Sequence, residues 1–315
     1  MYRHRRATLM SAVAVAVLAT TQGIAPAFAA TAPLTHAREA AHFDIDKMQQ
    51  PENITLEPSG AADVTFTKAR QVARVTPDGR TTILATLPAP ASGTATLSGI
   101  VRAADGTLYV NYNAGSLSGV WRVSPGGTAE QVAALPEAKV VNGLALDERH
   151  DTLYVTDSSS GTVWKVSPRT GEASLWASGE ALQPSTGAYS SGFGANGIKV
   201  HDDAVWVSNT DKGTLLRIPI AADGSAGAVT TQAEGVTSID DFTFVGKGDT
   251  VLAAQNFVNS VALVHPDGTH ETVLTAEDGL SNPTSVAVRG NTAYVTSGAY
   301  FTHDDPNLLL AHINH

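Results

Sequence analysis

The feature that most constrains this 315-residue chain is a short pattern that returns along its length. Asn196-Gly197-Ile198-Lys199-Val200 is nearly duplicated by Asn142-Gly143-Leu144-Ala145-Leu146. Glu52-Asn53-Ile54-Thr55-Leu56, Ser98-Gly99-Ile100-Val101-Arg102, Asp240-Asp241-Phe242-Thr243-Phe244 and Thr284-Ser285-Val286-Ala287-Val288 share its outline. The lead residues fall at 52, 98, 142, 196, 240 and 284, giving spacings of 46, 44, 54, 44 and 44. Behind the leads come second β-rich runs such as "TLYVNYN", "TLYVTDS", "AVWVSNT" and "TVLAAQN", then third runs such as "GVWRVSP" or "TVWKVSP". A fourth, such as "AEQVAAL" or "EASLWAS", usually comes next. Turn residues separate the runs. One such unit cannot bury both faces of its sheet, whereas six packed around a channel can. The sequence therefore predicts an all-β fold, a six-bladed β-propeller of four-stranded blades.

The sixth unit runs out of chain after its third strand, near Leu308–Ile313. Closing the ring with a strand from the N-terminal side leaves the fewest open edges, and "HFDID", residues 42–46, is the expected one. Residues 1–29 read as a signal peptide. Arg3, Arg5 and Arg6 precede an apolar run from Ala12 to Ala19, and "AFA" at 27–29 offers a cleavage site. The expectation is export of a single propeller domain, residues 30–315, by the Sec or the Tat route. The apolar run is short for a membrane span, and no cysteine is present to carry a lipid anchor or a disulfide.

Removing the leader takes three arginines and no acid, so the formal net charge moves from −10 to −13. That balance speaks against nucleic acid or an anionic membrane surface as partner and leaves a small molecule. A monomer is expected. "GFGANG" at 192–197 fits the glycine fingerprint of dinucleotide sites, but the fingerprint needs a helix after it. The residues after Gly197 read "IKVHDDAVWVSNTDKGTLLRIPI", a series of short strands and turns. No G-x-S-x-G elbow, H-E-x-x-H helix or P-loop occurs.

Equivalent positions of the inner strands form a ring at one end of a propeller's channel. Here the ring holds Glu52, Ser98, Asn142, Asn196, Asp240 and Thr284, all with side-chain oxygen. A lone Asn-Gly is a common turn element, but six oxygens in register with two carboxylates suit a hard cation such as Ca2+. With an ion there, a carbonyl can be polarised and a water oriented. Asp240 is then the candidate general base, and Asn142 the residue that holds substrate or a developing oxyanion.

"NGLALDERHDTLYVTDSSSGTVWKVSP" and "FGANGIKVHDDAVWVSNTDKGTLLRIPI" resemble the SMP-30/gluconolactonase/LRE family of six-bladed propellers. The resemblance implies lactone hydrolysis with one divalent ion held by Glu52, Asn196 and Asp240, and Asn142 close to the ion or substrate. Blade 1 reads "PENITLEPSG" and blade 5 "IDDF", both departures from the family pattern, so Asn53 and Asp241 compete as ligands. The repeat register favours Glu52 and Asp240. Ser98 and Thr284 complete the ring as expected substrate contacts.

The ten extra residues between leads 142 and 196 fall in "GEALQPSTGAYSSGFG", residues 179–194, a loop ending at the ring. Tyr189 or Phe193 from it, and Tyr300, Phe301 and His303 from "SGAYFTHDDP", are expected at the mouth. His303-Asp304-Asp305 reads as a charged surface turn. The alternatives to a lactonase are a propeller enzyme acting without hydrolysis on a natural-product intermediate, and a ligand-binding propeller without activity.

Overall fold

A computed structural model describes residues 32–188 and 190–314; the expected signal peptide and Tyr189 lie outside them. Six four-stranded antiparallel sheets are arranged in a ring, a six-bladed β-propeller. Blades 1 to 5 span residues 51–86, 96–134, 141–178, 195–233 and 239–274, each with its strands in chain order from the channel outwards. Blade 6 takes three strands from residues 283–313 and its outermost strand from Leu34–His42. The inner strand Pro283–Arg289 packs on Pro51–Leu56, which closes the circle.

The closing strand differs from the expected one. Leu34–His42, not 42–46, pairs with Asn307–Ile313. Past His42 the chain leaves the sheet. Asp44 accepts the backbone N–H of Lys47 and caps a 3-10 turn over Ile45–Lys47, and the Phe43 ring meets Phe66 edge-on in blade 1. The local hydrogen bonding of Asp44 outcompetes continuation of the strand.

The core lies between blades rather than in the middle of the ring. One apolar cluster joins Val64, Phe66 and Ala73 of blade 1 to Tyr294, Leu308 and Leu310 of blade 6. Another joins Trp206 and Leu215 of blade 4 to Phe242 and Ala253 of blade 5. Every neighbouring pair of blades shares such a cluster. The second strands are therefore buried on both faces, as in Ala204–Asn209, and lack the alternation of a half-exposed sheet. The channel is left to the inner strands, which carry the polar leads.

Candidate functional site

Each inner strand has a register irregularity at its lead residue. In blade 4, Ala195 pairs with Asn209 and Ile198 with Val207, so Asn196 and Gly197 together face only Ser208. The same happens at Ser98, Asn142 and Asp240, and a single extra residue, Glu52 or Thr284, sits in the corresponding place in blades 1 and 6. A bulge bends its strand and re-aims the unpaired residue, which here turns the leads into the channel mouth. The glycine after an Asn lead is required by space. A Cβ on Gly143 would lie 2.2 Å from the Asn196 carbonyl oxygen, and one on Gly197 would lie 2.5 Å from Asp241 Oδ1.

Hydroxyls on the second strands stitch these bulges together. Gly143 N–H donates to Thr156 Oγ1 at 2.8 Å, and that hydroxyl donates to the Asn196 carbonyl of the next blade. Gly197 N–H donates to Ser208 Oγ at 2.7 Å, which donates to the Asp240 carbonyl. Each buried bond of this kind contributes about 1 kcal/mol net and fixes one lead against the next.

Four of the leads meet around one cavity of about 150 Å³: Glu52, Asn142, Asn196 and Asp240. Thr210, Asn256, Tyr300 and the rings of Phe193, Phe257 and Phe301 complete its lining. Most donors of this set are engaged within the protein. Asn196 Nδ2 gives its hydrogens to Thr210 Oγ1 at 2.9 Å and to Asp240 Oδ1 at 2.7 Å. Asn142 Nδ2 donates to Ser158 Oγ at 3.1 Å, and Asn256 Nδ2 to the Pro283 carbonyl at 3.2 Å. Thr210 Oγ1 donates to the Ile239 carbonyl at 2.8 Å, and the Tyr300 hydroxyl to Glu52 Oε2. What remains towards the cavity is carboxylate and amide oxygen, with one amide hydrogen each of Asn142 and Asn256, the latter beside the Asp240 carboxyl.

Among the described residues, no lysine, arginine or histidine lines this cavity. Burial therefore pushes the Glu52 carboxyl up to about 7, with Asp241 adding to the shift and the Tyr300 hydroxyl opposing it. Asp240 is raised well above the usual carboxylate range, first by burial, then by Glu52 and Asp241. Burial, then Glu52 and Asp240, raise the Tyr300 hydroxyl well above its ordinary value and keep it protonated. An oxygen-only cluster with two carboxyls and no counter-charge has the donor chemistry to hold a hard cation.

Asn53 and Asp241 are occupied with one another. Asn53 Nδ2 donates to Asp241 Oδ2 at 3.1 Å, and Ser285 Oγ donates to the same oxygen at 2.7 Å. Lys199 Nζ reaches both oxygens of Asp241, at 2.7 and 2.8 Å. This knot spans blades 1, 4, 5 and 6 and neutralises the Asp241 charge. Neither Asn53 nor Asp241 lines the cavity.

Ser98 and Thr284 occupy lead positions without lining the cavity. Ser98 Oγ donates to the Val141 carbonyl at 2.9 Å, and Thr284 Oγ1 to the Pro51 carbonyl at 3.2 Å, so both latch neighbouring blades. Phe193 and Tyr300 do line it. The 179–194 loop is tied down by Asp211, which accepts from the backbone N–H of Ser185 at 3.1 Å and of Ser191 at 2.8 Å. His303 lies outside the lining; Asp305, two residues on, instead accepts from His42 Nδ1 at 2.6 Å, and that contact raises the His42 pKa.

A larger hollow of about 680 Å³ opens at the other end of the channel, among Arg102, Asp147, Arg149, His201 and Arg289. It mixes arginines with carboxylates, and some of these charges are paired: Arg149 meets Asp203 at 2.7 Å, and Asp147 meets His150 at 2.6 Å. The uncompensated carboxyls single out the smaller cavity. The ring of leads does not point to Asn256, Thr210 or Phe257, which the fold adds to its lining. Asn256 and Thr210, like Ser158, directly follow the second strand of their blades, and that shared position is the signal in the sequence that locates them.

No protein-family model matches the sequence, and no curated protein matches it. Solved structures share the fold. A gluconolactonase from Xanthomonas campestris superposes with a TM-score of 0.64 at 15% identity, covering 85% of this chain and 88% of that one. Virginiamycin B lyase from Staphylococcus aureus gives 0.60 at 13% identity over 89% and 99% of the two chains. A PQQ-bound aldose sugar dehydrogenase from Streptomyces coelicolor gives 0.62 at 18% identity over 90% and 100%. At these identities the likeness establishes the propeller, which hosts several chemistries.

Proposed function

We propose that this chain is an exported, metal-dependent hydrolase of lactones or related cyclic esters, adding water across the ring ester to give a hydroxy acid. The observation that carries this reading is the oxygen-rich floor, where Glu52 and Asp240 converge with Asn142 and Asn196 and, among the described residues, no cationic side chain joins them. Glu52, Asn196 and Asp240 would hold one divalent cation, and Ca2+ suits oxygen ligands of this kind. Bound there, such an ion supplies Lewis-acid polarisation of an ester carbonyl and acidifies a water.

The side chains account for the remaining steps. Asp240, steadied through Oδ1 by Asn196, takes the proton released as water attacks the carbonyl carbon and returns it to the ring oxygen as the C–O bond breaks. Asn142 offers its remaining amide hydrogen to the substrate oxygen as negative charge develops on it. Tyr300 holds Glu52 in place through its hydroxyl.

The gluconolactonase among the structural neighbours favours this reading. The lyase among them suggests lyase chemistry in place of hydrolysis, but that enzyme is catalytically inactive when one histidine is replaced by alanine. Among the described residues no histidine lines the cavity here, which favours hydrolysis.

The test is an assay of a lactone panel before and after chelation. Turnover should vanish with chelator, return with Ca2+ and be absent from Asp240→Ala. Turnover that survives both treatments would contradict the proposal.

A further inference from the structure

Three phenylalanines are exposed among the described residues, and all three line the same cavity: Phe193 (36% exposed), Phe257 (48%) and Phe301 (55%). They come from three separate places in the chain. Phe193 ends the 179–194 loop, Phe257 lies between the second and third strands of blade 5, and Phe301 follows the second strand of blade 6. The Phe257 and Phe301 rings are in contact, with centroids 5.0 Å apart and planes tilted by 57°. Phe301 is held by its own backbone, since its N–H and that of Thr302 both donate to Asn282 Oδ1 at 2.9 Å. Phe193 is held through the Asp211 clamp, whose N–H donates to the Phe193 carbonyl at 3.0 Å.

Large apolar side chains left in water and gathered at one cavity mouth mark a surface that gains by being covered. The floor beneath them is polar and small, and its donors, apart from one amide hydrogen each of Asn142 and Asn256, are committed within the protein. A polyhydroxylated ring would bring several hydroxyls to walls made of phenyl rings and lose its hydrogen bonds to water there. A ring ester with an aromatic or alkyl substituent would place its ester group on the floor and its apolar part among the three rings.

We infer that the substrates of this site are lactones bearing an aromatic or alkyl substituent, and that Phe193, Phe257 and Phe301 select them over sugar lactones. The inference rests on the proposed ring-ester hydrolysis for its reaction, but the rim can be tested by binding alone.

The experiment compares dihydrocoumarin, δ-valerolactone and glucono-δ-lactone as substrates. It also measures calorimetric binding of dihydroquinolinone, the lactam counterpart of dihydrocoumarin, to the full mature chain with Ca2+. The kcat/KM for dihydrocoumarin should exceed that for gluconolactone by about 100-fold or more. In Phe257→Ala/Phe301→Ala the preference for dihydrocoumarin over δ-valerolactone should fall about tenfold, mainly through KM, and lactam binding should weaken by a similar factor. Leu175→Ala, which removes an exposed side chain on the outer strand of blade 3, should leave both quantities unchanged.

Gluconolactone turned over as well as dihydrocoumarin would overturn the inference, as would a double variant that keeps the preference. A double variant that changes only the oligomeric state would overturn it too, by assigning the rim to self-association. If no lactone is hydrolysed, the parent proposal fails, and the rim is judged on the lactam. Binding that is lost in the double variant sustains the rim, and absent or unchanged binding refutes it.

Discussion

Asn196 Nδ2 donates to Asp240 Oδ1 at 2.7 Å, across the boundary between blades 4 and 5. The bond fixes the two side chains relative to each other and commits the nitrogen end of the amide, so that Asn196 presents oxygen to the cavity. Asp240→Asn keeps an oxygen in place to accept this bond while removing the charge. Loss of an outer partner of a metal ligand commonly costs 10- to 100-fold in affinity, so loss of a charged ligand should weaken Ca2+ binding by at least about 100-fold. Calorimetric titration reads the affinity and circular dichroism confirms the fold. Unchanged affinity would exclude Asp240 as a ligand.

Gly197 is a tight point of the ring, set against the carboxylate pair of blade 5. An added Cβ would lie 2.5 Å from Asp241 Oδ1 and 2.8 Å from the Asp240 carbonyl oxygen, and both belong to a hydrogen-bonded layer that has little room to yield. Gly197→Ala should therefore cost about 1–3 kcal/mol by urea denaturation and loosen cation binding as Asp240 shifts. Gly248→Ala, where a Cβ meets nothing within 4 Å, should leave both within error.

Lys199 and Asp241 form an ion pair whose acid is almost fully buried, with 3% of its side chain exposed. Removing one partner strands the other charge. Lys199→Met should destabilise the fold by about 3 kcal/mol, and adding Asp241→Asn should recover part of the loss. The coupling is read from a double-mutant cycle in urea. Strictly additive effects would show that the pair does not act as a unit.

The ring of leads was legible in the sequence because its geometry demands particular residues. A bulge that brings one blade's backbone against the next leaves room only for glycine after Asn142 and Asn196, and that requirement keeps the register visible. The split within the ring was not legible. A hydroxyl at a lead position can face the cavity or bond to the next strand, and Ser98 and Thr284 take the second course. The closing strand was also hidden. Leu34–His42 is an outer strand with few β-branched residues, whereas 42–46 alternates more clearly but is drawn into a capped turn. Phe257 lies in a short connection without periodicity, and only the folded ring brings it beside Phe193 and Phe301.

Asp63, in the second strand of blade 1, gives a pH dependence distant from the cavity. Its carboxyl is raised to about 6, chiefly by burial, with Arg74 opposing the shift. An unfolded aspartate titrates near 3.9. Between about pH 4 and 6 the folded chain thus keeps a proton that the unfolded chain has released, so this group's contribution to stability falls as pH rises through that window. Relative to Asp63→Asn, the parent chain should lose up to about 3 kcal/mol between pH 4 and 7. Urea midpoints at the two values check this, and a parallel response of the two proteins would contradict it.

Whether Glu52, Asn196 and Asp240 form one cation site is decided by titrating Ca2+ into chelator-stripped protein. The same titration is run on Glu52→Gln/Asp240→Asn, which keeps the side-chain shapes and removes both charges. One Ca2+ per chain is expected in the parent and none in the double variant. Binding of equal strength in both proteins, or no binding in the parent at millimolar Ca2+, would contradict the assignment.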